Sequence, residues 1–140
     1  MGNLLKIENM KYSMENLNDS IQKWKTSADG KYLLRYPTVY IINDKKRENN
    51  FVVYVGETAD IRNRTRQHLN ADRKMKPFWE SFSESNSSSM YVIGHELFNK
   101  SLTLDIENRL MQYLLSVDSI SRVHNSRTNQ QNEYYTSEKL

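Results

Sequence analysis

No cysteine occurs among the 140 residues, so disulfide frameworks and thiolate zinc sites are excluded. Carboxylate, imidazole and phenol groups must carry any chemistry, and the metal such donors favour is a hard cation such as Mg²⁺. No apolar run approaches the ~20 residues needed to span a bilayer. The opening segment MGNLLKIENMKYSMEN also lacks a basic stretch followed by an apolar block. A cytoplasmic protein with no membrane partner is expected. Gly2 follows Met1, but Lys6 stands where a myristoylation signal wants Ser or Thr. There are only two prolines and four glycines, so each one carries information about where the chain turns.

What is present suits one compact domain: 37% apolar residues and 11% aromatics supply a modest core. The formal charge of +3 is mild, but it is unevenly spread. Between Asp60 and Lys76 six Lys or Arg face two Asp, so more than the whole excess lies in that segment. A local patch of this kind suits a polyanion, although a solvated helix face has the same composition.

Met10, Met14, Leu17, Ile21 and Trp24 recur at spacings of four and three, which predicts an amphipathic helix within residues 1–35. TSADG ends it, and Pro37 leads into the β-branched run TVYIIND. The polar stretch DKKRENN and the run FVVYVG complete a β-hairpin with a longer loop. Residues 59–71 predict a helix capped by Thr58, SESNSSS a flexible loop, and MYVIGHELF a third strand. Ser101 or Thr103 would cap a last long helix reaching about Val117, followed by a polar, mostly irregular tail. The expected fold is α/β, a small three-stranded mixed or antiparallel sheet covered by helices, with a helical N-terminal extension.

Two features of the helices stand out. Arg62, Arg64, Arg66 and His68 alternate after Gly56, and on a helix they divide into the pairs Arg62/Arg66 and Arg64/His68. Ile61 and Leu69 mark the inward stripe, so Arg64 and His68 point toward the sheet while Arg62 and Arg66 form an outer, solvated pair able to touch phosphate. In the last helix Glu107 occupies a core position of the stripe Thr103, Glu107, Leu110, Leu114, Val117. A carboxylate there needs a cation or a donor. Either a structural salt bridge or a metal ligand facing the cleft of Arg64 would satisfy it.

The tripeptides Thr38-Val39-Tyr40 and Tyr54-Val55-Gly56, with Arg64 eight residues beyond Gly56, His68 four further and Glu107 on a later helix, resemble the GIY-YIG nuclease family. Thr38 stands where the family name has Gly. The resemblance spans roughly Pro37 to Asn125 and looks most like the GIY-YIG heads of bacterial proteins that carry a downstream P-loop NTPase-like region. It implies a helical extension at 1–35, a nuclease domain at 36–128 and a polar tail at 129–140. It further implies an endonuclease hydrolysing phosphodiester bonds of nucleic acid, DNA being the expected polymer. One Mg²⁺ or Mn²⁺ would be held by Glu107, Arg64 would contact the phosphate, Tyr40 would act as general base, His68 would take its proton or orient its hydroxyl, and Tyr54 would position water or phosphate. For the base to work, the Tyr40 phenol pKa should fall toward neutrality beside Arg64 and the metal. Gly56 and Asn125 would support the site, and Arg62, Arg66, Arg73, Lys74 and Lys76 would bind the backbone. The alternative is a catalytically silent nucleic-acid-binding head of a larger NTPase protein. A protein-interaction domain built on the Met10–Trp24 stripe would explain neither Arg64 nor Glu107.

Overall fold

The computed structural model describes residues 5–70 and 77–124. Its sheet has five strands in the order β1-β4-β2-β3-β5, not three. The centre is the expected hairpin, β2 (Thr38–Arg47) against β3 (Asn50–Thr58). β4 (Ser89–Gly94) pairs antiparallel with β2, as expected for the third strand. The two added strands lie at the edges. β1 (Lys6–Lys11) runs antiparallel to β4, and β5 (Ile120–Val123) runs parallel to β3.

β1 falls where the sequence predicts helix, because the spacing from Met10 to Met14 crosses a strand-to-helix junction. Ser13 is the break: extended itself, it accepts from the backbone N–H of Asn16 and caps α1 (Met14–Thr26). Leu17, Ile21 and Trp24 are then buried on one face of α1. A short α2 (Lys31–Leu34) follows, and it sits close to its neighbours at two glycines. A Cβ on Gly30 would lie 1.8 Å from the Trp24 carbonyl oxygen, and one on Gly94 2.6 Å from that of Tyr32. The N-terminal segment therefore shares the sheet and the core of the hairpin.

The hairpin loop is shorter than expected. Lys45, Lys46 and Arg47 continue β2, which leaves Glu48 and Asn49 at the turn, Asn49 taking the left-handed φ of 56° that Asn tolerates. The serine-rich loop is pinned: Ser85 and Ser87 donate to Asp44 Oδ1 at 2.8 and 2.5 Å, and Lys46 reaches Oδ2 at 3.1 Å. α4 (Pro77–Glu84) precedes that loop.

Alternation along the strands separates two apolar layers. Tyr40, Ile42, Val52, Met90 and Val92 pack with α1 and with Ile61 of α3 (Ile61–Leu69). Val39, Val53, Val55 and Val123 pack with Met111 of α5 (Lys100–Leu115). α3 and α5 thus cover opposite faces. Among the described residues no helix is long and apolar enough to cross a membrane.

Candidate active site

The site grows from the hairpin register. Tyr40 lies opposite Gly56, and Ile42 opposite Tyr54, so both tyrosines and the glycine present the same face. The Tyr40 ring lies flat over Gly56: a Cβ there would come within 2.4 Å of Tyr40 Cζ and its hydroxyl oxygen. Gly56 is required by this close approach and not by an unusual dihedral. Tyr54 lies beside Tyr40, with ring centroids 6.1 Å apart and 25° between planes.

α3 approaches this surface. Asp60, not the expected Thr58, is its cap, accepting from the Asn63 backbone N–H at 3.1 Å, while Thr58 accepts from Asp60 N–H at 3.0 Å. Capped there, the helix buries Ile61, Thr65 and His68. His68 is 4% exposed and meets the hydroxyl of Tyr40, a residue 1% exposed, through a 2.8 Å hydrogen bond at Nε2. Its ring also lies edge-on to Tyr54 at 5.5 Å. Arg64 is exposed, donates to Gln67 Oε1 at 3.2 Å, and brings its charge to the hydroxyls of Tyr40 and Tyr54. Arg62 and Arg66, expected to be solvated, are half-buried.

Electrostatics fixes the protons. Burial, and then the charge of Arg64, push the imidazole of His68 down to about 3, so it is neutral at pH 7. Burial likewise pushes the Tyr40 phenol well above its ordinary range, and Tyr54 adds to this; Arg64 pulls it back, but by less. The phenol therefore keeps its proton, contrary to the expected fall toward neutrality, because desolvation outweighs the neighbouring charge. A protonated phenol therefore meets a neutral imidazole across the Tyr40 hydroxyl–His68 Nε2 bond, and the ring tautomer sets which of the two donates.

Glu107 lies elsewhere. It is 2% exposed on α5, between Thr103 and Met111 on the buried face of that helix. Thr103 donates to Glu57 Oε2 at 3.2 Å, and Met111 packs with Val53 and Val55, so Glu107 stands at the level of Val55 and Gly56 behind β3. The core position read from the sequence is correct, and α5 packs on the sheet face opposite α3. The expected caps Ser101 and Thr103 give way to Asn99, which accepts from Leu102 N–H at 2.8 Å. Arg73, Lys74, Lys76 and Asn125 lie outside the described residues.

Sequence reasoning missed Tyr12. It is 1% exposed, lies in the same apolar layer as Tyr40, and interacts electrostatically with Tyr54, while burial raises its phenol above the usual range. Its place before the matching motif gave no sign of this. Thr38, in the position of the family's first glycine, is fully buried opposite Thr58, and its hydroxyl has no hydrogen-bond partner among the described residues.

The profile described as the GIY-YIG catalytic domain matches residues 36–116, more than half of the chain. The chain belongs to the GIY-YIG family. That membership brings a nuclease-type fold and, for the family in general, nucleases that depend on a divalent metal and act on nucleic acid. No curated protein and no solved structure matches this sequence. The family match says nothing of a downstream NTPase-like region.

The residues fit a hard, largely hydrated cation. Among the described residues no three His, Asp or Glu cluster as a metal cage; of the two buried carboxylates Asp44 is taken by Ser85, Ser87 and Lys46, which leaves the Glu107 oxygens as donors. Mg²⁺ is commonly held in this manner, through one or two carboxylates and retained waters.

Proposed function

We propose that this GIY-YIG domain is a metal-dependent endonuclease that hydrolyses phosphodiester bonds of nucleic acid, with DNA as the polymer, in the cytoplasm. The observation that carries the reading is the buried Tyr40 hydroxyl bonded at 2.8 Å to a neutral His68 and set beside the Arg64 guanidinium. A proton acceptor and a fixed cation next to one hydroxyl are what activation of water and stabilisation of a phosphorane-like charge require.

The protonated phenol cannot serve as base until its own proton has somewhere to go. His68 Nε2 is that place. As a water attacks phosphorus, its proton passes to Tyr40 O and the phenolic proton passes to Nε2. The P–O3′ bond breaks, the 3′ alkoxide takes a proton from solvent water, and the imidazolium gives its proton back to solvent once the product leaves. The low basicity of His68 keeps that state short-lived. Arg64 offers planar, permanently charged donors to the phosphate oxygens. Tyr54 positions water or phosphate against the Tyr40 ring. Glu107 would hold the divalent ion, which supplies positive charge for the scissile phosphate and the departing oxygen.

Incubation with mixed DNA and RNA substrates in Mg²⁺ or Mn²⁺ against EDTA tests the reading, and metal-dependent cutting is the expected result. A second reading draws on a specific observation: Glu107 lies on α5, which packs on the sheet face opposite α3. A domain that binds nucleic acid without cutting, as the head of a larger protein, fits that placement. Binding without cleavage in any metal would establish it.

A further inference from the structure

The N-terminal segment lies outside the family match and is unused by the mechanism, yet it builds a concave surface next to α3. A groove of about 420 Å³ is lined by Trp24, Lys25, Lys31, Leu34, Arg35 and Arg62. Four cations from α1, α2, the residue ending α2 and α3 converge there, and no acidic residue lines it. Lys25, Lys31 and Arg35 are exposed and Arg62 is half-buried. Among the described residues none of the four forms an ion pair.

Ordinary surface cations disperse or alternate with carboxylates, because like charges within a Debye length of about 8–10 Å repel. Here the backbone forces them together. Gly30 lets α2 fold directly onto the Trp24 carbonyl, and Gly94 lets the backbone of α2 rest on β4. The corner is thereby held against both the helix before it and the sheet beneath it. Arg62 joins the groove to the helix that carries Arg64. A concave, uncompensated cationic surface attracts a polyanion and holds its phosphates.

We propose that this α1–α2 corner is a second nucleic-acid-binding subsite, which takes backbone phosphates of the strand flanking the bond presented to Tyr40 and Arg64. It rests on the endonuclease reading for the identity of the polymer, and it extends the footprint of the chain beyond the family's own motif. The shared chemistry is a phosphodiester or phosphate anion, and the experiment separates a polymer from a free nucleotide.

The test is fluorescence anisotropy with labelled oligonucleotides of increasing length, without divalent metal, across a salt series. Wild-type protein is compared with Lys25→Gln/Lys31→Gln/Arg35→Gln. Each phosphate contact contributes about 0.7 to 0.9 to the slope of log K against log salt, so the variant should lose about two from that slope. Its affinity should stop rising with oligonucleotide length where that of the wild type continues to rise. Should the triple variant melt early, Lys25→Gln and Arg35→Gln alone should each lower the slope by about 0.7 to 0.9. Unchanged slope and length dependence in a wild type that binds and cuts would overturn the subsite and leave the endonuclease standing. A wild type that neither binds nor cuts would overturn both. If the variant loses affinity for ATP but not for the oligonucleotides, the groove is a free-nucleotide site and the proposal is wrong.

Discussion

At neutral pH the folded protein holds His68 without a proton, and this should be visible as a pH dependence of stability. In the unfolded chain the imidazole titrates near its ordinary 6.5; in the fold, burial and Arg64 bring it to about 3. Below about pH 6.5 the unfolded state therefore takes up a proton that the folded state refuses. Stability then falls with falling pH by up to about 1.4 kcal/mol per unit, until the folded group also titrates near pH 3. From pH 7 to pH 5 the loss from this residue alone is about 2 kcal/mol. Urea unfolding of wild type and His68→Gln at pH 7, 6 and 5 isolates it, because His124 and Asp44 remain in both proteins and cancel. The glutamine oxygen can still accept from Tyr40 but does not titrate. The gap between the two proteins should shift by about 2 kcal/mol in favour of the variant on acidification, equivalent to about 1 M urea. A gap that stays constant between pH 7 and 5 would show that His68 does not resist protonation in the fold. The low basicity assigned to His68, and with it the short-lived imidazolium, would then have no basis.

Three substitutions probe the rest of the site. Tyr40→Phe should lower cleavage by at least ~100-fold, the usual contribution of a positioned base, and should destabilise by about 1–3 kcal/mol because buried Nε2 loses its partner; single-turnover rates and urea midpoints measure both, and near wild-type cutting would make the phenol a bystander. Gly56→Ala places a methyl group 2.4 Å from the Tyr40 hydroxyl, so the ring must move; a loss of about 1–3 kcal/mol with a matching fall in rate is expected, and full activity would show that the ring position is unimportant. Glu107→Gln should abolish cleavage while binding stays within a few-fold, and wild-type turnover in the purified variant would mark Glu107 as a structural carboxylate behind β3.

The hairpin, its helix and the front of the site were legible because their signals are local. Tyr40 and Tyr54 stand on β-branched runs, and Arg64 and His68 lie one helical turn apart on a segment that follows directly from Gly56. The face covered by α5 was not legible. Periodicity showed that Glu107 points into a core, but a five-stranded sheet with helices on both sides has two cores, and only the chain path decides between them. β1 and β5 escaped notice for another reason. Edge strands of six and four residues need only backbone pairing, and each buries just one apolar side chain, Met10 and Val123. The polar stretch after Asn43 was read as loop from its charges, yet Lys45 and Arg47 continue the ladder, where hydrogen bonding is indifferent to exposed side chains.

The segment before the family motif is the part whose weight the motif least conveys. β1, α1, α2 and their connections place Met10, Tyr12, Leu17, Ile21, Trp24 and Leu33 in the layer that holds Tyr40 and Ile61. Each such side chain stabilises the fold by about 1.5–3 kcal/mol when buried. Removing the six would cost on the order of 10 kcal/mol, which is comparable to the whole stability of an ordinary domain. The matched residues 36–116 thus share the core behind Tyr40 with the segment that precedes them. Tyr12 lies in the same apolar cluster as Tyr40, and Trp24 continues from that core to the cationic groove. Seating the groove and burying Tyr40 are consequences of the same packing, so the surface that would grip phosphate cannot be detached from the surface that would attack it.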